Sequence, residues 1–163
     1  MSYWQPLVPK DFQVPARLEA KDFHLRMLTV NDLVKDYDAV MSSVAHLKGL
    51  MRPGSTWPEG LTLEDDLIDL GWHQREFRLR RSFCYTMMSR DEAVCLGCSY
   101  IYPSEKQAYD AKAFWWARTS AVAEGYEERL GTALRGWLRS SWPFKRVAFP
   151  GRDISWDAWD AMS

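Results

Sequence analysis

The sequence lacks the run of about 20 apolar residues that a bilayer-spanning helix needs. Its first residues, MSYWQPLVPKDF, carry no long apolar stretch behind a basic start and do not read as a secretory signal. It has almost no net charge: 21 basic against 22 acidic residues leave −1, so neither a nucleic acid nor a membrane is expected as a partner. The nearest basic cluster, Arg75, Arg78, Arg80 and Arg81, falls at a helix C-terminus, where arginines answer the helix dipole. Cysteine is scarce. Cys84, Cys95 and Cys98 are an odd number without a framework pattern, which suits a reducing cytoplasm. No G-x-x-x-x-G-K-[ST], G-x-G-x-x-G or G-x-S-x-G segment occurs, so P-loop, Rossmann and nucleophile-elbow chemistries have no residues to stand on. Internal repeats, linkers and low-complexity stretches are absent too.

What the chain has is aromatic mass. Nine of its 163 residues are Trp, and 47% are hydrophobic, enough for one domain with a tight core or an aromatic-walled pocket. Residues 1–22 hold Pro6, Pro9 and Pro15 and read as an extended arm, anchored on the domain by Trp4 and Phe12. Residues 23–163 read as one mixed α/β unit. FHLRML (23–28) alternates as a strand. Thr29 with Asp32 and Thr62 with Asp65 are two helix-start boxes. In the second helix Leu63, Leu67, Leu70 and Phe77 are expected inside, with a kink possible at Gly71. Three strands follow, at 82–88, 94–104 and 111–120, joined by polar turns as in an antiparallel meander. A helix over roughly 122–140, with Tyr126, Leu130, Ala133 and Trp137 inward, stops at Pro143. KRVAFPG is a short last strand and SWDAWDAM a final helical turn or two.

Three groupings bear on chemistry. Cys95 and Cys98 have CxxC spacing, but on a strand they point to opposite faces, so buried thiols are expected and no metal. Asp66, Asp69, His73 and Glu76 share a helix face, a spacing able to hold a metal or run acid–base chemistry; the plainer reading is a solvated face. Trp115 and Trp116 are adjacent on a strand and must part to its two sides.

The element order, with FHLRMLTVNDLVKDYDAVMSS at its start and SFCYTMMSRDEAVCLGCSYIYPS and DAKAFWWARTS in its middle, resembles the GCN5-related N-acetyltransferases (GNAT) over roughly residues 23–149. It is similar to a bacterial branch in which WPF (142–144) and PGR (150–152) follow the main helix. The resemblance implies an α+β fold: a central mixed, mostly antiparallel sheet flanked by helices, here truncated at the C-terminus. It implies an acetyl-CoA-dependent N-acetyltransferase acting on a small amine, bacterial and cytoplasmic, with no metal. Acetyl-CoA would lie where the fourth and fifth strands splay apart. Its pantetheine arm would run along Ala113–Arg118, including Trp116, Ala117 and Arg118, and its diphosphate would sit on the turn holding Thr119, Gly125, Tyr126, Arg129 and Gly131. The family loop Q/R-x-x-G-x-G/A fits in two ways. Either Gly131 is its first glycine, with Glu128 at the Gln/Arg position, or Gly131 is its last position, with Tyr126 at the Gln/Arg position and Arg129 at the inner glycine. A carboxylate there repels a diphosphate by roughly 1 kcal/mol. Backbone amides of Ala123–Tyr126 are expected to face the cleft, and those of Arg118 and Thr119 to polarise the thioester carbonyl. Glu76, His73 and Tyr100 are the candidate proton acceptors. The family's tyrosine after the fifth strand has no counterpart here, and the acceptor side is expected to be completed by the N-terminal arm or a second copy of the chain, as a homodimer. The alternative is a non-catalytic descendant that binds a small molecule or a protein partner in an aromatic cleft.

Overall fold

Both helix-start boxes form. In the computed structural model, which describes residues 5–163, the Thr62 hydroxyl accepts from the Asp65 amide and the Asp65 carboxylate from the Thr62 amide. Thr29 and Asp32 close the same reciprocal box ahead of a 3₁₀ turn, Val30–Asp32. The elements are β1 (Arg17–Glu19), β2 (Phe23–Met27), α1 (Leu33–Met41), α2 (Val44–Leu47), α3 (Leu63–Arg78), β3 (Phe83–Ser89), β4 (Cys95–Pro103) and β5 (Ala111–Ala117). After these come α4 (Thr119–Val122), α5 (Tyr126–Ser141), β6 (Val147–Ala148) and α6 (Trp156–Ala161). The six strands lie in sequence order; every pair is antiparallel except β5 with β6, which is parallel. This is the expected α+β arrangement with a mixed, mostly antiparallel sheet.

The sheet divides two apolar cores. One lies under α5 and holds Leu25, Tyr85, Ile101, Trp115, Leu134 and Trp142 among others. The other lies under α1 and α3, around Leu28, Val40, Leu70, Tyr100 and Trp116. Trp115 and Trp116 thus part to the two faces, and both are buried.

Two expectations need correction. In α3, Leu63 and Leu67 are exposed, and the inward row runs through Asp66, Leu70, His73 and Phe77. Phe77 fixes this rotation, because its ring packs on Phe83 (5.1 Å) and Tyr85 (5.3 Å). The supposed solvated face is therefore partly interior: Asp66 and Glu76 are buried, and the helix runs unbroken through Gly71. Secondly, Cys95 and Cys98 lie on the same face. The β3–β4 register slips so that Met87 pairs with Gly97 and Met88 with Cys95, leaving Leu96 as an extra residue. That bulge turns Leu96 into one core and Cys95 into the other, beside Cys84 and Cys98. The Cys84 and Cys98 sulfurs are 3.7 Å apart, and all three thiols are free.

Residues 7–12 pack on the domain. Val8 is buried, the Leu7 amide donates to Arg80 O (2.7 Å), and Arg80 Nη2 donates to the carbonyls of Pro9 (2.6 Å) and Phe12 (2.8 Å). Phe12 packs on Trp142, with ring centres 5.5 Å apart. Trp4 lies outside the described residues. The end of the segment joins the sheet as β1.

Candidate functional site

The sheet opens at β5. Strand β6 pairs only through Ala111–Val147 and Lys112–Ala148. The chain then turns away at Phe149–Ile154, where the amide of Gly151 donates to Ile154 O (2.7 Å). Beyond Lys112, one edge of β5 has no strand beside it among the described residues. Such an edge exposes main-chain donors and acceptors. Two of them are capped by side chains. Arg152 Nη2 donates to Trp115 O (2.8 Å), and the Ala117 amide donates to Glu127 Oε1 (3.1 Å). The caps face one another, with Arg152 Nη1 3.6 Å from Glu127 Oε2. His46 Nε2 stands 2.7 Å from Glu127 Oε1, and Trp115 Nε1 donates to Glu127 O (3.1 Å). An ion pair occupies the position of a neighbouring strand. His46 of α2, Glu127 of α5 and Arg152 of the Phe149–Ile154 turn thus meet at that edge. None of the three is among the site residues that the family resemblance implies.

The turn expected to cradle a diphosphate is wound into α4. The Arg118 amide donates to Leu96 O (2.8 Å) and the Thr119 amide to Ser43 Oγ (3.0 Å), so neither faces a cleft. Of the amides expected to face the cleft, those of Ala123, Glu124 and Gly125 instead donate back to the carbonyls of Ala121, Ala121 and Val122. Gly125, left-handed at φ 82°, caps α5. Gly131 has a packing role: a Cβ there would stand 2.5 Å from the Trp115 indole, so only glycine lets α5 lie this close to the sheet. Glu128 borders a hollow shared with Lys21 and Asp22 of the β1–β2 hairpin. Tyr126 packs near Phe23 (6.4 Å) with Arg129 over its ring (4.3 Å). The carboxylate at the open edge is Glu127.

Of the proton-acceptor candidates, His73 and Tyr100 come together and Glu76 does not join them. The His73 and Tyr100 rings are 5.4 Å apart, and the Tyr100 hydroxyl accepts from Trp116 Nε1 (2.8 Å). Burial lowers His73 to about 4 and pushes Tyr100 well above the usual tyrosine range. His73 is therefore neutral at physiological pH, with Nδ1 buried and unpartnered. Glu76 is buried against Arg75 (2.9 Å) and Arg81 (3.7 Å), a structural ion pair. No group of three or more metal-ligating side chains forms among the described residues.

Beside the edge, on the α3 side of the sheet, lies a cavity of about 790 Å³ walled by Trp72, Tyr102, Phe114, Trp156 and Trp159. Its charged residues are two ion pairs, Arg52–Asp160 and Lys112–Glu105, each at 2.8 Å. Tyr102 stacks on Tyr100, so His73 and Tyr100 stand behind this wall.

No protein-family profile and no curated protein matches the sequence. Solved structures do match the fold. The chain is similar to RimL, a ribosomal L7/L12 α-N-protein acetyltransferase in complex with coenzyme A (TM-score 0.60, 15% identity, 78% of this chain and 68% of that one). It is similar to an acetyltransferase from Salmonella typhimurium that modifies the N-terminal serine of L7/L12 (0.60, 13%, 77% and 70%). A GNAT-family acetyltransferase from Bacillus anthracis matches at TM-score 0.53 and 15% identity, over 75% of this chain and 65% of that one. The chain thus spans about two thirds of the length of these proteins. Its fold is that of the GNAT superfamily. No helix among the described residues is long and apolar enough to cross a membrane.

Proposed function

We propose that the chain is an acyl-CoA-dependent N-acyltransferase for a small amine, with acetyl-CoA as the donor. The observation that supports this best is the open edge of β5. Trp115 O needs a donor and Ala117 N–H needs an acceptor, which an extended amide-bearing arm such as pantetheine supplies in alternation. The arm would replace the side chains of Arg152 and Glu127 and so restore a strand-like partner. The donor supplies the acyl group as a thioester. In the transfer a neutral amine forms the new C–N bond, the C–S bond breaks, and the thiol side keeps the electron pair. The amine's proton passes to a base. His46, 2.7 Å from Glu127 Oε1 beside the Ala117 amide, is the imidazole at that edge able to accept it. His73 and Tyr100 are less suited, being a weakly basic imidazole and a hydroxyl already engaged with Trp116.

One observation favours a second reading, a non-catalytic binding protein. The amides of Arg118, Thr119 and Ala123–Gly125 are engaged within the chain, and the edge carries its own ion pair. Calorimetry separates the two. Acetyl-CoA and acetyl-pantetheine should both bind, because the arm makes its contacts at the β5 edge. A thiol-release assay with small amines should then show turnover. If neither donor binds at millimolar concentration, the binding-protein reading replaces this one.

A further inference from the structure

We infer that the aromatic cavity takes a primary amine carrying a single positive charge on a flat aromatic body. The inference rests on the acyl-transfer reading only in calling this amine the acceptor; the recognition argument is independent of it.

Size comes first. A cavity of about 790 Å³ lies within the range that holds a ligand of drug size. Its walls are chiefly rings. Phe114 and Trp156 lie nearly parallel, 10° apart with centres at 6.1 Å, and Trp72, 38% exposed, also lines the cavity. Flat apolar bodies gain most from such walls, by stacking as well as by area.

Charge narrows the class. The lining residues Arg52, Lys112, Glu105 and Asp160 cancel formally, and each is already paired. A polyanion or a polycation would therefore meet no net opposite field. Yet both cations lie over rings: Arg52 is 5.1 Å from the Trp156 centre and Lys112 6.0 Å from that of Phe114. The wall already displays the combination that recognises an organic cation, an aromatic face beside a carboxylate. The two sites are not equally open. Glu105 is held by Lys112, which is mostly buried, and by Trp159 Nε1 (3.2 Å), whereas both partners of the Arg52–Asp160 pair are more than half exposed. An exposed pair contributes little, so a ligand ammonium can take Arg52's place on Asp160 and Trp156.

Position completes the argument. Trp156 is the link between cavity and edge. Its indole lies so close to Gly151 that a Cβ there would stand 2.6 Å from Nε1. Gly151, at φ +79°, turns the chain into Arg152, whose guanidinium sits on Trp115 O. An ammonium on Trp156 and Asp160 therefore stands beside the turn that carries Arg152 to the open edge.

The test is ligand binding without any acyl donor, by calorimetry and saturation-transfer NMR, using 2-phenylethylamine, 2-phenylethanol, phenylacetate and spermidine. 2-Phenylethylamine should bind saturably and the others more weakly. Trp156→Ala should weaken it about twofold to fivefold, the loss of one exposed cation–ring contact. Trp72→Ala, at a surface position that does not threaten the fold, should weaken both the amine and the alcohol. Asp160→Asn should weaken the amine and leave the alcohol unchanged. The inference is overturned if phenylacetate or spermidine binds as tightly, if the amine fails to bind at millimolar concentration, or if Trp72→Ala folds with unchanged affinity. Because no acyl donor is present, such a result leaves the acyl-transfer reading standing, and failure of thiol release leaves this one standing.

Discussion

Glu127→Ala should open the β5 edge, and its consequences can be worked out from the contacts it removes. The Glu127 carboxylate accepts from the Ala117 amide and from His46, and faces Arg152 at 3.6 Å. A hydrogen bond to a charged group contributes about 1.5–3 kcal/mol net. The partly exposed ion pair adds about 1 kcal/mol or less. An amide arm that pairs with β5 must first break these bonds and then make its own. The side chain therefore opposes such a ligand by about 2 kcal/mol, and its removal should tighten acetyl-CoA binding by about tenfold to thirtyfold. The free protein should lose stability, since Ala117 N–H is left with water; a loss of 1–2 kcal/mol lowers the midpoint by roughly 2–8 °C in a domain of this size.

The two effects have opposite signs, which makes the experiment informative. Calorimetric titration and thermal unfolding are run on the same preparations. Glu127→Gln keeps an acceptor for Ala117 and loses the charge, so it should fall between the wild type and Glu127→Ala. The gain should also shrink at high salt to the extent that it is electrostatic. If Glu127→Ala lowers the midpoint yet leaves acetyl-CoA affinity unchanged or weaker, the edge is not the donor's seat.

Other expectations concern single positions. Gly131→Ala should cost about 1–3 kcal/mol in denaturant unfolding by pressing on Trp115, with no separate effect on donor affinity. Arg80→Ala removes the donor to Pro9 O and Phe12 O and should lower the thermal midpoint while exposing the N-terminal segment to protease. Asp36 is raised well above the usual carboxylate range by burial and then by Asp66, so its stabilising proton is fully present below the unfolded value of 3.8 and is lost as pH rises through the folded value. Asp36→Asn should therefore gain on the wild type as pH rises, read as the difference in midpoint between pH 4 and pH 8. His73 runs the other way: held to about 4 by burial against 6.5 unfolded, it stabilises above 6.5 and loses about 3 kcal/mol as pH falls through 4. His73→Phe should abolish that part of the acid slope.

How much of this was legible in the sequence depends on how local the cause is. The capping boxes at Thr29 and Thr62 are contacts within three residues and were read correctly. So were the meander and the parting of Trp115 and Trp116, because strand alternation is also local. The bulge at Leu96 was not legible. Nothing in CLGC says that one residue will be extra; the slip comes from how β3 and β4 fit each other, and it reversed the relation of Cys95 to Cys98. The rotation of α3 was missed for a similar reason. Leu63 and Leu67 look inward by hydropathy, but the rings of Phe83 and Tyr85 decide where Phe77 goes, and the helix must follow.

The candidate site was harder to read because its parts are ordinary residues with no spacing between them. His46, Glu127 and Arg152 meet only because β6 is short and the chain turns at Gly151. Within PGR, nothing in the sequence gives Arg152 a purpose. Its reason is the unpaired carbonyl of Trp115. The opposite error attends Gly131. A glycine near the start of the helix after β5 looks like the mark of a phosphate loop, yet Trp115 beneath it already demands the absence of a side chain. Trp115 thus explains both observations. Its ring excludes a Cβ from α5, and its carbonyl needs a donor that the sheet does not supply. A fold that puts a tryptophan at the splay must place a glycine over its face and a donor at its edge, whether or not a diphosphate ever arrives. For this chain the glycine carries little weight toward cofactor binding. The edge carries more, because Glu127 and Arg152 satisfy there, with exchangeable side chains, the same two groups that an extended ligand would satisfy.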